Sequence, residues 1–253
     1  MKTGLAGLKP AVALSEFLQG FLSLLFPEVC QICERGRATP PEGFVCGDCR
    51  AQVKLVRRPF CERCGRPVAG AVSTSFECQH CRELEPEFDY ARSAAVAHGV
   101  LLDIIHRYKY HRALWFEPFL GELLTAAAAE DLKAGRWDWL MPVPLHPTKR
   151  REREFNQSER LAKALAGGVD LPVKSRLLRR VIPTRTQTAL SREDRLKNLR
   201  GAFAVRDPGQ AKDRRIVLID DVLTTGATTN ECAKVLKAAG AAAVCVWTVA
   251  RGV

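Results

Sequence analysis

Residues 216–219, Ile-Val-Leu-Ile, form an unbroken apolar run that ends in two adjacent carboxylates, Asp220 and Asp221. Nothing in the run alternates with polar positions, which predicts a strand buried on both faces, as in a parallel sheet, with the acidic pair where the strand ends. Val222 and Leu223 follow, then a turn of small residues, Thr224-Thr225-Gly226-Ala227-Thr228-Thr229, and Glu231 to Ala239 continues with helical character. In an open α/β sheet, ligands bind outside the carboxyl ends of strands, where a loop feeds a helix N-terminus. Backbone N–H groups of such a turn point at an anion, and the helix dipole favours negative charge there. Gly226 lets the backbone come close, while Thr224, Thr225 and Thr228 offer hydroxyl donors to phosphate oxygens. Carboxylates only accept hydrogen bonds, so Asp220 and Asp221 suit sugar hydroxyls rather than the phosphate itself. A ligand with a 5′-phosphate and free ribose hydroxyls satisfies both halves.

A second informative segment follows Met141-Pro142-Val143-Pro144. Lys149, Arg150, Arg151 and Arg153 crowd five positions and lead into Phe155-Asn156-Gln157-Ser158. A dense cationic loop between strand and helix suits a polyanion such as pyrophosphate, with arginines offering bidentate donors. Taken alone, the same loop reads as a solvated basic turn or a nonspecific nucleic-acid patch. Pro142 and Pro144 can hold the backbone in an unusual conformation, a cis bond included.

Cysteine usage splits the chain. Eight of the ten cysteines fall in C-x-x-C pairs: Cys30/Cys33, Cys46/Cys49, Cys61/Cys64 and Cys78/Cys81. Sequential pairing of these motifs gives two zinc sites of the ribbon type; cross-bracing, first with third and second with fourth, is the alternative. The stretch lacks the apolar content for its own core, so metal binding has to supply folding free energy. A disulfide framework is the competing reading, disfavoured by the paired spacing and the lack of a secretory signal. His80 lies between two ligands and reads as a bystander, and Cys232 and Cys245 as core residues.

The chain has 253 residues, enough for an α/β domain with an appendage, and a formal net charge of +11, which implies anionic partners. Lys2 and Lys9 precede an apolar stretch, but Glu16 and Gln19 interrupt it. Ala13, Phe17, Phe21, Leu24 and Leu25 fit one face of an amphipathic helix instead. No apolar run is long enough to span a bilayer, and the expected compartment is the cytoplasm. Three parts are expected: an N-terminal helix over 1–27, a double zinc ribbon over 28–87, and an α/β domain over 88–253. In the last, strands are predicted at Ala91–Ala97, Trp137–Val143, Arg176–Val181, Ala202–Val205 and Ala243–Val249. Helices are predicted at Val100–Tyr110, Glu117–Lys133 and Asn156–Ala166.

The acidic-pair motif resembles the 5-phosphoribosyl pyrophosphate (PRPP) loop of the type I phosphoribosyltransferases: four hydrophobic residues, two acidic, two hydrophobic, then a small-residue Thr-Gly turn. The chain as a whole is similar to the ComF/GntX-like family, which joins a double zinc ribbon to such a domain. The resemblance rests on the C-x-x-C series, Tyr108-Lys109-Tyr110, the Pro-Val-Pro loop ending in Phe155-Asn156-Gln157-Ser158, and Thr186-Gln187-Thr188 with Leu190-Ser191-Arg192. It implies a type I phosphoribosyltransferase-like parallel sheet flanked by helices. Asp220, Asp221, Val222, Leu223, Thr224, Thr225, Gly226, Ala227 and Thr228 would bind PRPP with Mg²⁺, and Lys149, Arg150, Arg151 and Arg153 would form the pyrophosphate loop. Residues Pro183 to Arg200 would close over the site and bring Arg185 and Arg192 to act with Asp220 and Asp221; a basic linker is the plainer reading of that segment.

Two departures bear on function. Glu154 stands where the family usually has glycine, and its carboxylate opposes an anionic ligand. Thr224 stands where enzymes acting on 6-oxopurines usually carry aspartate, which disfavours hypoxanthine or guanine as acceptor. Three functions fit: a Mg²⁺-dependent phosphoribosyltransferase, a non-catalytic sensor of PRPP or a nucleotide 5′-phosphate, or a competence factor that binds single-stranded DNA or a DNA-uptake protein. For the last, Phe60, Phe76, Tyr108 and Tyr110 are candidate base-stacking residues, with core packing the plain alternative.

Overall fold

The structure, a computed structural model, describes residues 28–70, 75–182 and 199–252. The predicted helix over 1–27 lies outside these. The cysteine-rich part carries two short helices, α1 (Gly47–Ala51) and α2 (Gln79–Leu84), which start directly after Cys46 and Cys78. The rest runs β1 (Tyr90–Val96), α3 (Gly99–Tyr110), α4 (Glu117–Ala134), β2 (Trp139–Pro142), α5 (Pro147–Arg153), α6 (Gln157–Val169), β3 (Leu178–Arg180), β4 (Phe203–Val205), α7 (Pro208–Ala211), β5 (Arg215–Leu223), α8 (Ala227–Ala238) and β6 (Ala243–Arg251).

Four strands form one sheet in the order β1-β6-β5-β2, and every neighbouring pair is parallel. The apolar runs of β5 and β6 place them centrally. Ile216 to Ile219 are fully buried, and all nine residues of β6 are buried. Each of these strands has a helix layer against both faces, which is why neither alternates with polar residues. On one face Leu101, Ile104, Leu120, Leu124, Leu161 and Leu165 pack with Val217, Ile219 and Trp247. On the other Cys232, Ala233 and Leu236 pack with Ile216, Leu218, Val244 and Val246.

That division positions the site. The long helix that follows β2 and α5, α6, covers the first face, whereas the helix after β5, α8, covers the second. The connections therefore part to opposite sides between adjacent strands, and a crevice opens at their carboxyl ends. The free edge of β1 is covered by the cysteine-rich part, through Val96 N–H to Lys54 O (2.8 Å) and Val56 N–H to Ala94 O (3.0 Å). Pairing an edge strand this way hides its unpaired backbone groups.

Local structure differs from the sequence reading at four points. Strand β5 does not end at the acidic pair but continues through Leu223, because Val222 and Leu223 still pair with Ala250 and Arg251. Helix α8 starts at Ala227 rather than near Glu231. The basic loop is the helix α5, with Pro147 in its first turn and the His146 side chain accepting from Thr148 N–H. Finally, β3 stays out of the parallel sheet and pairs antiparallel with β4. The peptide bonds before Pro142 and Pro144 are trans.

Candidate functional site

Asp220 and Asp221 sit on the last turn of pairing of β5, at the floor of the crevice. Ser158, at the start of α6, donates its hydroxyl to Asp220 Oδ1 at 2.8 Å. The side chain of Asn156 orients this corner: its Oδ1 accepts from Ser158 N–H (3.1 Å) while its Nδ2 donates to Val143 O (3.1 Å). Asp221, 3% exposed, faces Lys109 of α3, with Nζ 2.6 Å from Oδ2. Burial pushes the Asp220 carboxyl above the usual carboxylate range, against the pull of Lys109 and the Ser158 hydroxyl. Burial likewise lowers the Lys109 ammonium to about 8, with the carboxylate of Asp220 opposing the shift.

Beyond Leu223 the chain turns through Thr224, Thr225 and Gly226 into α8. Gly226 has φ +81°, a left-handed conformation that glycine adopts without the Cβ penalty. Thr229 donates its hydroxyl to Gly226 O at 3.0 Å, and Asn230 N–H donates to the same carbonyl at 2.8 Å, which fixes the first turn of the helix. The N–H groups of Thr224, Thr225 and Gly226 meet no protein acceptor among the described residues. They line the crevice at the N-terminus of a twelve-residue helix, an arrangement suited to a phosphate.

The crevice encloses about 580 Å³. Lys149 and Arg153 of α5 and Arg180 of β3 line it together with the acidic pair and Lys109, so four cations face two carboxylates. Burial, and after it the nearby guanidinium groups of Arg153 and Arg180, pushes the Lys149 ammonium below the ordinary lysine range. An anion entering this space relieves that repulsion. The remaining wall is apolar and aromatic: Leu102, Ile105, His106 and Tyr110, with the His106 and Tyr110 rings 4.8 Å apart.

The eight paired cysteines form two clusters, Cys30/Cys33/Cys46/Cys49 and Cys61/Cys64/Cys78/Cys81. The grouping is sequential, not cross-braced. Sγ–Sγ distances are 3.7 Å for Cys30–Cys49 and Cys33–Cys46, and 3.8 Å for Cys61–Cys81 and Cys64–Cys78. Four sulfurs about 2.3 Å from a tetrahedral zinc stand about 3.8 Å apart, so both clusters fit that ion. Backbone N–H groups of Cys46 and Cys78 point at Cys30 Sγ and Cys61 Sγ, 3.4 and 3.3 Å away, as thiolate ligands require. The N–H groups of Gly36 and Arg35 bring the Cys33 thiol down to about 6.

Residues 21–83 match the family model described as a double zinc ribbon domain. Competence protein F of Haemophilus influenzae is 30% identical over 223 residues, covering 86% of this chain and 94% of its own. The DNA utilization protein YhgH of Salmonella typhimurium is 32% identical over 233 residues, covering 90% of this chain and 99% of its own. The chain belongs to the ComF family. Among solved structures, the purine phosphoribosyltransferase of Pyrococcus horikoshii Ot3 aligns over 53% of this ComF-family chain and 82% of its own, at 18% identity and a TM-score of 0.32, too low a score to bear on function.

Within this ComF-family chain the residues expected at the site separate into three groups. Asp220 to Thr228, Lys149 and Arg153 line one crevice. Arg150 turns away to Glu159 (3.5 Å), and Arg151 is exposed outside the lining. Arg185 and Arg192 lie outside the described residues. Lys109, Ser158 and Arg180, which carry no assigned role in the sequence, are brought in by the fold from three further elements. Lys109 and Ser158 fall inside Tyr108-Lys109-Tyr110 and Phe155-Asn156-Gln157-Ser158, so the signal was present without its chemistry. Arg180 had no signal, since it reaches the crevice from outside the parallel sheet.

Two ComF-family details are resolved differently from each other. Glu154 does adopt the conformation glycine would favour, with φ +66°, at a cost of about 1 kcal/mol. Its carboxylate, however, pairs with Arg112 at 3.0 Å and does not line the crevice. Among the candidate stacking residues, Tyr108 is wholly buried core, while Tyr110 is half exposed in the crevice and lies under Arg153. Phe60 stacks with Arg58 and Arg92, and Phe76 packs on the second cysteine cluster. Among the described residues, no helix is long and apolar enough to cross a membrane.

Proposed function

We propose that this ComF-family chain binds PRPP and transfers its 5-phosphoribosyl group to an acceptor, releasing pyrophosphate. The observation that carries the reading is the juxtaposition at one crevice of a phosphate cradle (Thr224–Thr228), an acidic pair and the cations Lys149, Arg153 and Arg180. The cradle takes the 5′-phosphate, Asp220 and Asp221 take ribose hydroxyls, and the cations take pyrophosphate. In the transfer, the bond from the anomeric carbon to pyrophosphate breaks as the bond to the acceptor forms, and the acceptor loses a proton. Stabilising the departing charge is then the main task of the cations. Mg²⁺ would supply further charge neutralisation, held by Asp220 or Asp221 together with pyrophosphate oxygens; hard oxygen donors of this kind suit it. Arg185 and Arg192 belong to this reading as residues that approach the leaving group. We place the protein in the cytoplasm, where unbridged cysteines in zinc-type clusters persist.

A second reading is favoured by the relatives, whose names concern competence and DNA utilization. With a net charge of +11, a role on single-stranded DNA, or beside a DNA-uptake protein, fits the same basic crevice with or without transfer chemistry. One experiment separates the two. PRPP and Mg²⁺ should raise the melting temperature, the Asp220→Asn, Asp221→Asn double variant should lose that shift, and a screen of bases and amines should find one that releases pyrophosphate. A shift without release in any arm leaves a PRPP sensor; no shift at all removes the phosphoribosyl reading.

A further inference from the structure

Arg251, at the end of β6, is 2% exposed and lies between the second cysteine cluster and the crevice turn. Its Nη1 is 2.7 Å from Leu223 O and 2.6 Å from Thr224 O, and also contacts Gly252 O. Its Nη2 is 3.7 Å from Cys64 Sγ. The next carbonyl of the turn, Thr225 O, lies 2.9 Å from His80 Nε2, and His80 stands between the ligand positions Cys78 and Cys81. Three successive carbonyls are thus held on the side of the ribbon. A trans peptide sets each C=O opposite the following N–H, so the N–H groups of Thr224, Thr225 and Gly226 face the other way. That side is the crevice, where they find no protein acceptor.

Charge completes the connection. Among the described residues the Arg251 guanidinium meets carbonyl oxygens and the Cys64 sulfur but no carboxylate, yet a buried guanidinium needs a counter-charge. Four thiolates around a divalent zinc carry a net charge of roughly −2, and Cys64 belongs to that set. Close contact extends to the backbone: Gly252 N–H donates to Leu223 O at 2.9 Å, and a Cβ on Gly252 would come within 3.1 Å of Thr224 Cγ2.

We propose that Arg251 and His80 are positioning residues through which the second zinc ribbon holds the phosphate-binding turn in its anion-ready form. The ribbon is then part of the ligand site's construction without touching the ligand, and its metal occupancy sets the order of the turn. The proposal rests on reading 224–228 as a phosphate cradle, so its test includes a measurement that needs no ligand. Backbone amide order parameters of Thr224, Thr225 and Gly226 should fall from about 0.85 in the zinc-loaded full chain to below about 0.6 in Arg251→Met and in chelator-treated protein. Those of α6 should hold steady, and metal analysis of the Arg251→Met protein should still find zinc in both clusters. Arg251→Lys keeps the charge beside Cys64 without the planar fork and should give intermediate values. If Arg251→Met does not fold, His80→Ala supplies the test, with loss of order confined to Thr225 and Gly226. Calorimetry should show PRPP binding about tenfold weaker in the folded variants.

Unchanged order parameters in Arg251→Met, or in His80→Ala where that variant stands in, overturn the proposal whether or not PRPP binds. Loss of order in the variants but not after chelation overturns the part played by the ribbon. Absence of PRPP binding in the parent chain with the predicted loss of order overturns the ligand reading and leaves the brace standing.

Discussion

Lys109 Nζ lies 2.6 Å from Asp221 Oδ2, with the two side chains 18% and 5% exposed, so a helix on one face of the sheet neutralises the acidic floor of the crevice. An ion pair this sheltered is costly to break from one side, because the remaining charge is stranded. Lys109→Met should therefore destabilise the protein by about 3–5 kcal/mol. Combining it with Asp221→Asn should recover part of that loss. Denaturant unfolding of the four proteins in the cycle measures the coupling.

The same lysine gives a pH dependence. Its folded-state pKa, about 8, is below the ordinary value near 10.4. Between these two values the unfolded chain binds more protons, so the contribution of this group to stability rises as pH climbs from about 8 to about 10.4. Below pH 8 the cost of burying the ammonium is carried in full. Melting temperatures across this range should diverge between the parent chain and Lys109→Met, and NMR of the lysine side chain should titrate near pH 8. PRPP affinity in the parent should decline above pH 8, as the crevice loses a positive charge.

The basic helix α5 divides into residues that face the crevice and residues that do not. Lys149→Ala and Arg153→Ala should each weaken PRPP binding about tenfold, the size of a lost charge-assisted hydrogen bond. Arg150→Ala and Arg151→Ala should change it less than twofold. Calorimetry at a single salt concentration distinguishes these outcomes, and equal effects from all four would show that only total charge matters.

Metal content tests the clusters directly. Elemental analysis should find two zinc ions per chain, matching the two four-cysteine groups. Cys49→Ser and Cys81→Ser should each lower that to about one, since a structural zinc site tolerates loss of a thiolate ligand poorly. Chelation should unfold the region around the second site, because among the described residues its clustered apolar side chains are cysteines and Phe76.

Much of this was legible in the residues. The apolar run 216–219 announces a buried parallel strand because burial on both faces removes alternation. Paired cysteines announced the clusters because a tight turn presents two thiolates to one ion. What the sequence could not show was which cations meet. Lys149 and Arg153 are four apart and face the crevice together, whereas Arg150 and Arg151 between them do not, since the run is helical and not a loop. Nor could Lys109, over a hundred residues before Asp221, be assigned without the packing of α3 on β5. By its position between ligands His80 reads as a bystander; it stands outside the four-cysteine cluster but reaches Thr225 O, a contact set by the ribbon's placement.

Strand β6 lies between β1 and β5, with all nine of its residues buried. The first strand of the sheet thus has no neighbour in the sheet until the last one arrives, about 150 residues later in synthesis. During translation, β1, β5 and the helices that flank them must wait with open edges and exposed apolar faces. Such a chain should lean on chaperones more than its size suggests, and its yield should fall when synthesis is fast or the nascent chain crowded.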